Sequence, residues 1–517
     1  MKKNLKTGFL FTLIFAITIV YGIYKNQEDQ IDVSKIYTIS YQETCAKNLE
    51  SEKGNESYSL YNVFYKYNPF STNTQSMYIY FMTDKAASIS YTISAKGYAD
   101  YTNTAYQTKK YQKEHEFQLI GLLPNTTNTI ILKATYKDGT SETSTFTYKM
   151  SSLLSNVDIQ LQTTTNTKAN LGNGLYTILG NDSDTQDFVY MYDTNGILRC
   201  EIPILGYRSQ RILFQDQTMY MSISSHKICA MNHLGQVTKI YNLGKFELHH
   251  DYQFDANGNL IVLATDTNKN TKEDCVVKVD LKNGKVNELL DLEDIFDSYK
   301  ESTTYTKGRE WDWMHINTVQ YLKDDSVILS SRETSSILKI SNISTNPTLE
   351  YIIGNEDFWQ NSEFSGYLYN KDGDFLTSGG QHTVTYQKDD SLEEGQYYLY
   401  MFDNNFGFSR TRPDYEWSVN DGIETSSSNG KTSYYYKYLV DENKQTYTLV
   451  QSFKVPYSAY VSSVQQVDNH IVVDSGMAGL LSIYDTDGNL EEQFSIKKNK
   501  KYIYRIYYYD YSGYYSF

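Results

Sequence analysis

Between Met77 and Met150 apolar and polar residues alternate in short runs, among them Met77-Tyr78-Ile79-Tyr80-Phe81, Ser88-Ile89-Ser90-Tyr91-Thr92-Ile93 and Thr129-Ile130-Ile131-Leu132-Lys133-Ala134. The sequences Leu123-Pro124-Asn125 and Lys137-Asp138-Gly139 separate them as turns. A period of two turns one face of each run toward a core, so the region is expected as a small antiparallel β-sandwich of about 90 residues, comparable to a fibronectin-type module. Nothing in it suggests chemistry, and a presentation or interface role is expected.

From about residue 170 a second pattern begins, and it repeats. An alternating strand runs into a turn rich in Asp, Asn and Gly, and a second strand follows. The six instances are Val189–Gly196, Ile228–Gly235, Val276–Gly284, Ile337–Asn342, Leu399–Gly407 and Leu481–Asn489. Several are preceded by a further strand, such as Asn259–Ala264 or Ser326–Ser330. One open sheet of that many strands would leave edges exposed, whereas radial closure does not, so the repeat predicts a six-bladed β-propeller.

The N-terminus follows neither pattern. Lys2, Lys3 and Lys6 precede an apolar run from Gly8 to Ile23, with Tyr24 and Lys25 after it and no small-x-small cleavage site. This is expected to be an export signal kept as a membrane anchor, a cleaved signal peptide being the second reading. Basic residues before the run put the N-terminus in the cytoplasm and the remaining chain outside. The expected organisation is therefore all-β with an anchor over 1–25, a polar stalk over 26–57, a β-sandwich over 58–155 and a six-bladed propeller over 156–517.

Composition narrows the partners. With 47 basic and 62 acidic residues the formal charge is -15, which repels polyphosphate and argues against nucleic acid. An anionic substrate must then be held by local positive charge. The 51 tyrosines against 6 prolines favour pleated strands. Cys45, Cys200, Cys229 and Cys275 show no CxxC spacing, so zinc and dithiol chemistry are not expected and buried thiols are. The sequence permits a homodimer without specifying one.

Histidine is where chemistry concentrates. Four of the 8 histidines fall in three segments at equivalent places in the repeat: Leu248-His249-His250-Asp251, Met314-His315-Ile316-Asn317 and Gln381-His382-Thr383. The first strand of a propeller blade faces the central channel, so these imidazoles should meet there. A lone histidine on a strand is usually a packing residue. Three at one repeat position point to a shared site. Arg332, in Ser330-Ser331-Arg332-Glu333, brings a planar fork suited to a tetrahedral oxyanion. Three imidazoles could also hold zinc or copper, but a cation site would not recruit a guanidinium and an amide, so no metal is expected.

These residues resemble the bacterial arylsulfate sulfotransferases that work without PAPS. The likeness is densest from Trp311-Asp312-Trp313-Met314-His315-Ile316-Asn317 to Ser330-Ser331-Arg332, and continues in His249-His250-Asp251, Asn257-Gly258-Asn259-Leu260, Gln381-His382-Thr383 and Phe402-Asp403-Asn404. The resemblance implies a ping-pong transfer of a sulfuryl group from an aryl sulfate donor to a phenolic acceptor through a sulfohistidine, without a cofactor. It assigns His382 as nucleophile. Arg332, His315, Asn317 and one of His249 or His250, with His250 favoured by its place before Asp251, would hold the sulfuryl oxygens and activate the phenol. A hydroxyl from the last blade is expected too, and Ser462 or Ser463 is nearest to that motif. No cysteines flank His382, so packing must make its loop rigid. Two rival classes remain open on sequence, a propeller that only binds carbohydrate or protein and a metal-dependent hydrolase.

Overall fold

The computed structural model describes residues 32–54, 56–182 and 187–517, and the expected membrane anchor lies outside them. Among the described residues no helix is long and apolar enough to cross a membrane. In the range expected as a polar stalk, Val33–Ile36 and Ile39–Lys53 are helices. They dock instead of hanging free: Tyr37 Oη donates to Pro203 O at 2.6 Å, and Gln42 Oε1 accepts from Val237 N at 3.2 Å. Burial of Ile36 and Leu49 makes this favourable.

The N-terminal unit is organised by one strand, Ser76–Ser94. Its first half pairs with Phe64–Tyr67 and Gln112–Ile120, and its second half with Tyr101–Thr104 and Thr127–Tyr136, which in turn pairs with Ser141–Lys149. The register shifts between Met82 and Ala87, so the strand bends and serves two layers. Met77, Ile79 and Phe81 from one half and Ile89, Tyr91 and Ile93 from the other join one core. The alternation seen in the sequence is this inward face.

The rest of the described residues form six sheets of four or five strands, antiparallel except where the short edge strand Asn370–Lys371 pairs parallel with Thr446–Val455. The first sheet contains Leu175–Ile178, Phe188–Tyr192 and Leu198–Pro203, and the C-terminal strand Ile506–Tyr509 supplies its innermost position. The second to fifth sheets start from innermost strands Ile212–Gln215, Phe246–Phe254, Ile316–Leu322 and His382–Gln387. The sixth starts from Ser463–Val467 and takes Gln162–Thr163 at its outer edge. Both chain ends thus close the arrangement.

The innermost strands form a complete ring, and one device recurs around it. In five of the six strands a backbone N–H donates to a side chain of the strand before: Val319 N to Asp251 Oδ2 (3.2 Å), Tyr386 N to Gln320 Oε1 (3.1 Å), Val464 N to Thr383 Oγ1 (3.1 Å), Tyr508 N to Gln465 Oε1 (2.8 Å) and Ile212 N to Tyr509 Oη (3.4 Å). Between the second and third sheets the link runs the other way, from a side chain of the later strand to the backbone of the earlier segment: Tyr252 Oη donates to Arg211 O. A ring has no free inner edge, so these buried amides are all satisfied. The architecture is all-β and propeller-like.

Five of the six predicted hairpins join the third and fourth strands of their sheets. In four of them an Asp or Asn side chain caps the turn, as where Asp193 Oδ1 accepts from Asn195 N at 2.8 Å and Ile197 N at 3.1 Å. Leu399–Gly407 differs. Gln396–Asp403 is the second strand of the fifth sheet, and a long excursion precedes the third strand, Ser433–Asp441. That displacement brings residues 403–405 to the end of the sheet where the innermost strand begins, since His382 pairs with Phe402.

Candidate active site

The innermost strands do not enter the ring straight. His250, His315, Thr383 and Ser462 have φ values of 52°, 51°, 53° and 85°, and the ladder slips at Leu248/Tyr252, Ile316/Thr318 and His382/Thr385. A non-glycine residue in this region is strained by about 1–3 kcal/mol, and a bulge re-aims the adjoining side chain. Four strands bear that strain at one equivalent place, and three of them carry the histidines singled out in the sequence.

A second tier of residues backs the first. It comes from loops joining the second and third strands of the third, fourth and fifth sheets, which supply Glu273, Arg332 and Asn404. Antiparallel order puts the end of a second strand beside the start of a first, so each loop residue faces an imidazole position.

His382 is buried, with its Nδ1 2.7 Å from Asn404 Oδ1 and 3.0 Å from Gly380 O. Asn404 Nδ2 donates to Ser458 O at 2.7 Å and Val461 O at 3.1 Å, which fixes the amide so that its oxygen faces the ring. Both partners of Nδ1 are acceptors, so Nδ1 carries the proton and Nε2 the lone pair. Burial first, then the charges of Arg505, His315 and Arg332, hold the pKa of His382 well below its ordinary 6.5 against the opposing Asn404 bond. A neutral imidazole with an accessible lone pair is a competent nucleophile. Its loop is braced without a disulfide: Asp403 Oδ1 accepts from Gly379 N at 2.7 Å, Gly380 N donates to Ser335 Oγ at 2.9 Å, and Gln381 Nε2 donates to Ser336 O at 3.0 Å.

His315 has the opposite character. Its Nδ1 lies 2.7 Å from Asp312 Oδ2 and 2.8 Å from Glu273 Oε2. Burial and Arg332 disfavour its charge, yet the two carboxylates outweigh them and raise its pKa to about 9. Glu273 is itself opposed by burial, but the charged His315 keeps it ionised, well below the usual carboxylate range. His315 is thus an imidazolium near neutrality, and among the described residues its Nε2 makes no hydrogen bond. A group in that state is able to act as a general acid.

His250 adjoins His315, with ring centroids 4.9 Å apart, and its Nδ1 is 3.6 Å from Glu273. His249 Nδ1 is 3.1 Å from His250 Nδ1. Burial is the main reason both are pushed down, His249 to about 4, so both are neutral. His250 is the one in ring contact with His315, and His249 stands behind it.

Arg332 pairs with Glu333 Oε2 at 2.9 Å and approaches Asp312 Oδ2 at 3.8 Å, while among the described residues its buried Nε–H has no hydrogen-bond partner. Part of its fork remains free for an oxyanion. Asn317 is fully buried and its Nδ2 donates to Gln381 O at 2.8 Å, tying the fourth sheet to the residue before His382. Ser462 Oγ donates to Ser458 Oγ at 2.8 Å and accepts from Gly476 N at 3.0 Å, so its hydroxyl is engaged in bracing the loop that holds Asn404. Ser463 Oγ donates to Ile506 O at 2.7 Å and belongs to the ring.

Glu273, Asn404 and Arg505 were not anticipated as site residues. Arg505 is fully buried and donates to His250 O at 2.8 Å and Asn317 O at 2.7 Å, spanning the ring. Glu273 lies in Lys272-Glu273-Asp274, which reads as an ordinary charged turn, and Arg505 is set among tyrosines. Asn404 stands in the Phe402-Asp403-Asn404 motif, the one signal available for it.

The ligand atoms of His249, His250 and Glu273, and those of Glu273, Asp312 and His315, are close enough to surround a cation. The donor set fits a proton better: the carboxylates already face a charged His315, and Arg332 adds a second positive group beside them.

The family model of the arylsulfotransferases (ASST) matches residues 160–511, and that of the arylsulfotransferase Ig-like domain matches 64–151. The chain belongs to the arylsulfotransferase family. Its two matched regions coincide with the ring of sheets and with the bent-strand sandwich, which is accordingly Ig-like. Sulfuryl transfer needs oxyanion donors beside a nucleophile, a combination that Arg332, His315 and His382 are chemically able to provide. No curated protein matches the chain. Among solved structures it is similar to a protein of unknown function from Bacteroides caccae (10% identity over 65% of this chain and 99% of that one, TM-score 0.39) and to a putative 6-phosphogluconolactonase from Bacteroides fragilis (9% identity over 82% and 98%, TM-score 0.36). At those scores neither informs the arylsulfotransferase site.

Proposed function

We propose that the protein transfers a sulfuryl group from an aryl sulfate to a phenol in two steps through His382, without a nucleotide donor. The observation that carries the reading is the Asn404 bond to His382 Nδ1, which commits the lone pair to Nε2. In the first step Nε2 attacks sulfur, the sulfur–oxygen bond to the aryl group breaks, and His315 gives its proton to the departing phenolate oxygen. In the second, an acceptor phenol oxygen attacks the same sulfur, the sulfur–nitrogen bond breaks, and the phenol proton returns to His315. A phenol has a pKa near about 10, so it leaves readily and one site can run both directions. Arg332 would steady the sulfuryl oxygens, with His250 assisting from beside His315, and Asn317 would hold the His382 strand in register.

In the same reading the six sheets are the blades of one propeller, its axis the path to the imidazoles, and residues 1–25 export and anchor a catalytic unit that works outside the cytoplasm. A 4-nitrophenyl sulfate assay tests the activity. Release of nitrophenol that requires added phenol supports transfer, phenol-independent release indicates a hydrolase, and no release indicates a binding module.

A further inference from the structure

The imidazoles occupy three consecutive positions of the ring, in the third, fourth and fifth sheets. The first and second sheets present something else. Arg208, just before the innermost strand of the second sheet, lays its guanidinium 3.7 Å from the ring centroid of Tyr504 and 4.9 Å from that of Tyr207. Tyr504 adjoins the imidazoles: its Oη donates to His250 O at 3.3 Å, and its ring centroid is 6.3 Å from that of His250. Tyr207 is 41% exposed, so this wall opens to solvent.

Arg208 is also the odd one among the shielded arginines. Arg199 pairs with Asp193, Arg211 with Asp251 and Arg332 with Glu333, and Arg505 donates to two carbonyls. Among the described residues no carboxylate forms an ion pair with Arg208, and its buried Nε–H has no hydrogen-bond partner. In a chain with 62 acidic residues, a half-buried guanidinium left without one is poised for an anion from outside. The sulfuryl group is already served across the ring by Arg332 and His315.

Resting on the sulfotransferase reading, we propose that Arg208, Tyr207 and Tyr504 form a subsite for the aryl part of the substrate, and that the phenols handled here carry a carboxylate. The tyrosine rings offer faces for the aryl ring, and the guanidinium pairs with the acid beyond it.

The test compares two acceptors of similar phenolic acidity, 4-hydroxyphenylacetate and 4-methylphenol, with 4-nitrophenyl sulfate as donor. The expected kcat/KM ratio favours the acid by about tenfold or more in wild type, as a shielded charge-assisted pair would give. It falls toward one in Arg208→Met and is partly kept in Arg208→Lys. A wild-type ratio at or below one overturns the subsite, as does a preference that survives Arg208→Met. Turnover of both acceptors without preference refutes the subsite alone, whereas no turnover of either takes the sulfotransferase reading down with it. The wild-type ratio is measured first, so a misfolded Arg208→Met does not remove the test.

Discussion

Asn404 Oδ1 sits 2.7 Å from His382 Nδ1, and both amide protons of Asn404 are taken by Ser458 O and Val461 O. The amide cannot turn without losing two bonds, so it dictates which nitrogen of His382 is protonated. Replacing it by Leu frees the tautomer and leaves the imidazole to rotate. The expected loss in kcat is about 10²-fold or more, the scale of a misoriented acid–base group, with KM little changed. Steady-state kinetics of Asn404→Leu and Asn404→Asp decide it; an unaltered kcat in the Leu variant contradicts the role.

The pH profile should carry the signature of two histidines pushed in opposite directions. His382 is depressed well below 6.5, so it is already neutral at pH 6.5 and no activity limb is expected there. His315, raised to about 9, donates its proton only below that value, so activity should fall as pH rises through about 9. Asp312→Asn should move this limb downward, because it removes one of the carboxylates that favour the charge. The sign for stability is the same. The raised pKa of His315 contributes stability fully present below its ordinary 6.5 and lost as pH climbs toward about 9.

Chelation provides a separate check. Glu273, Asp312 and the imidazoles are geometrically able to hold a cation, whereas the proposed steps use only protons. Transfer activity should be unaffected by prolonged dialysis against EDTA. A loss restored by zinc or another divalent ion would replace the acid–base account with a metal centre.

Ser462→Ala separates bracing from substrate contact. Its hydroxyl bonds Ser458 and the Gly476 amide, so the variant leaves a buried N–H unpaired and should lose about 1–3 kcal/mol of stability. Thermal unfolding reads that loss. A variant with wild-type melting and a large rise in KM would show instead that the hydroxyl serves the substrate.

The repeat was legible because its hairpins recur: five of the six join the third and fourth strands of their sheets, and four of those five carry an Asp or Asn followed by Gly at the turn. The imidazoles were legible for the same reason, since they recur shortly before the strand pairs of three sheets, the third, fourth and fifth, where the inner ladder slips. Glu273 and Arg505 escape this logic. Glu273 reaches His315 from a turn of ordinary composition, and Arg505 spans the ring from a strand that joins the first sheet only at the end of the chain. Neither contact follows from spacing. Asn404 was hidden by a register difference, its strand being the second of its sheet where the repeat suggested a third.

The central claim is a covalent sulfohistidine at His382. Incubating the protein with 4-nitrophenyl sulfate alone, then digesting it under conditions that preserve the nitrogen–sulfur bond, allows the peptides to be weighed. The account predicts one added sulfuryl group on the peptide containing His382, discharged by phenol and absent from His382→Ala. A label on another residue, or full transferase activity in His382→Ala, would contradict it.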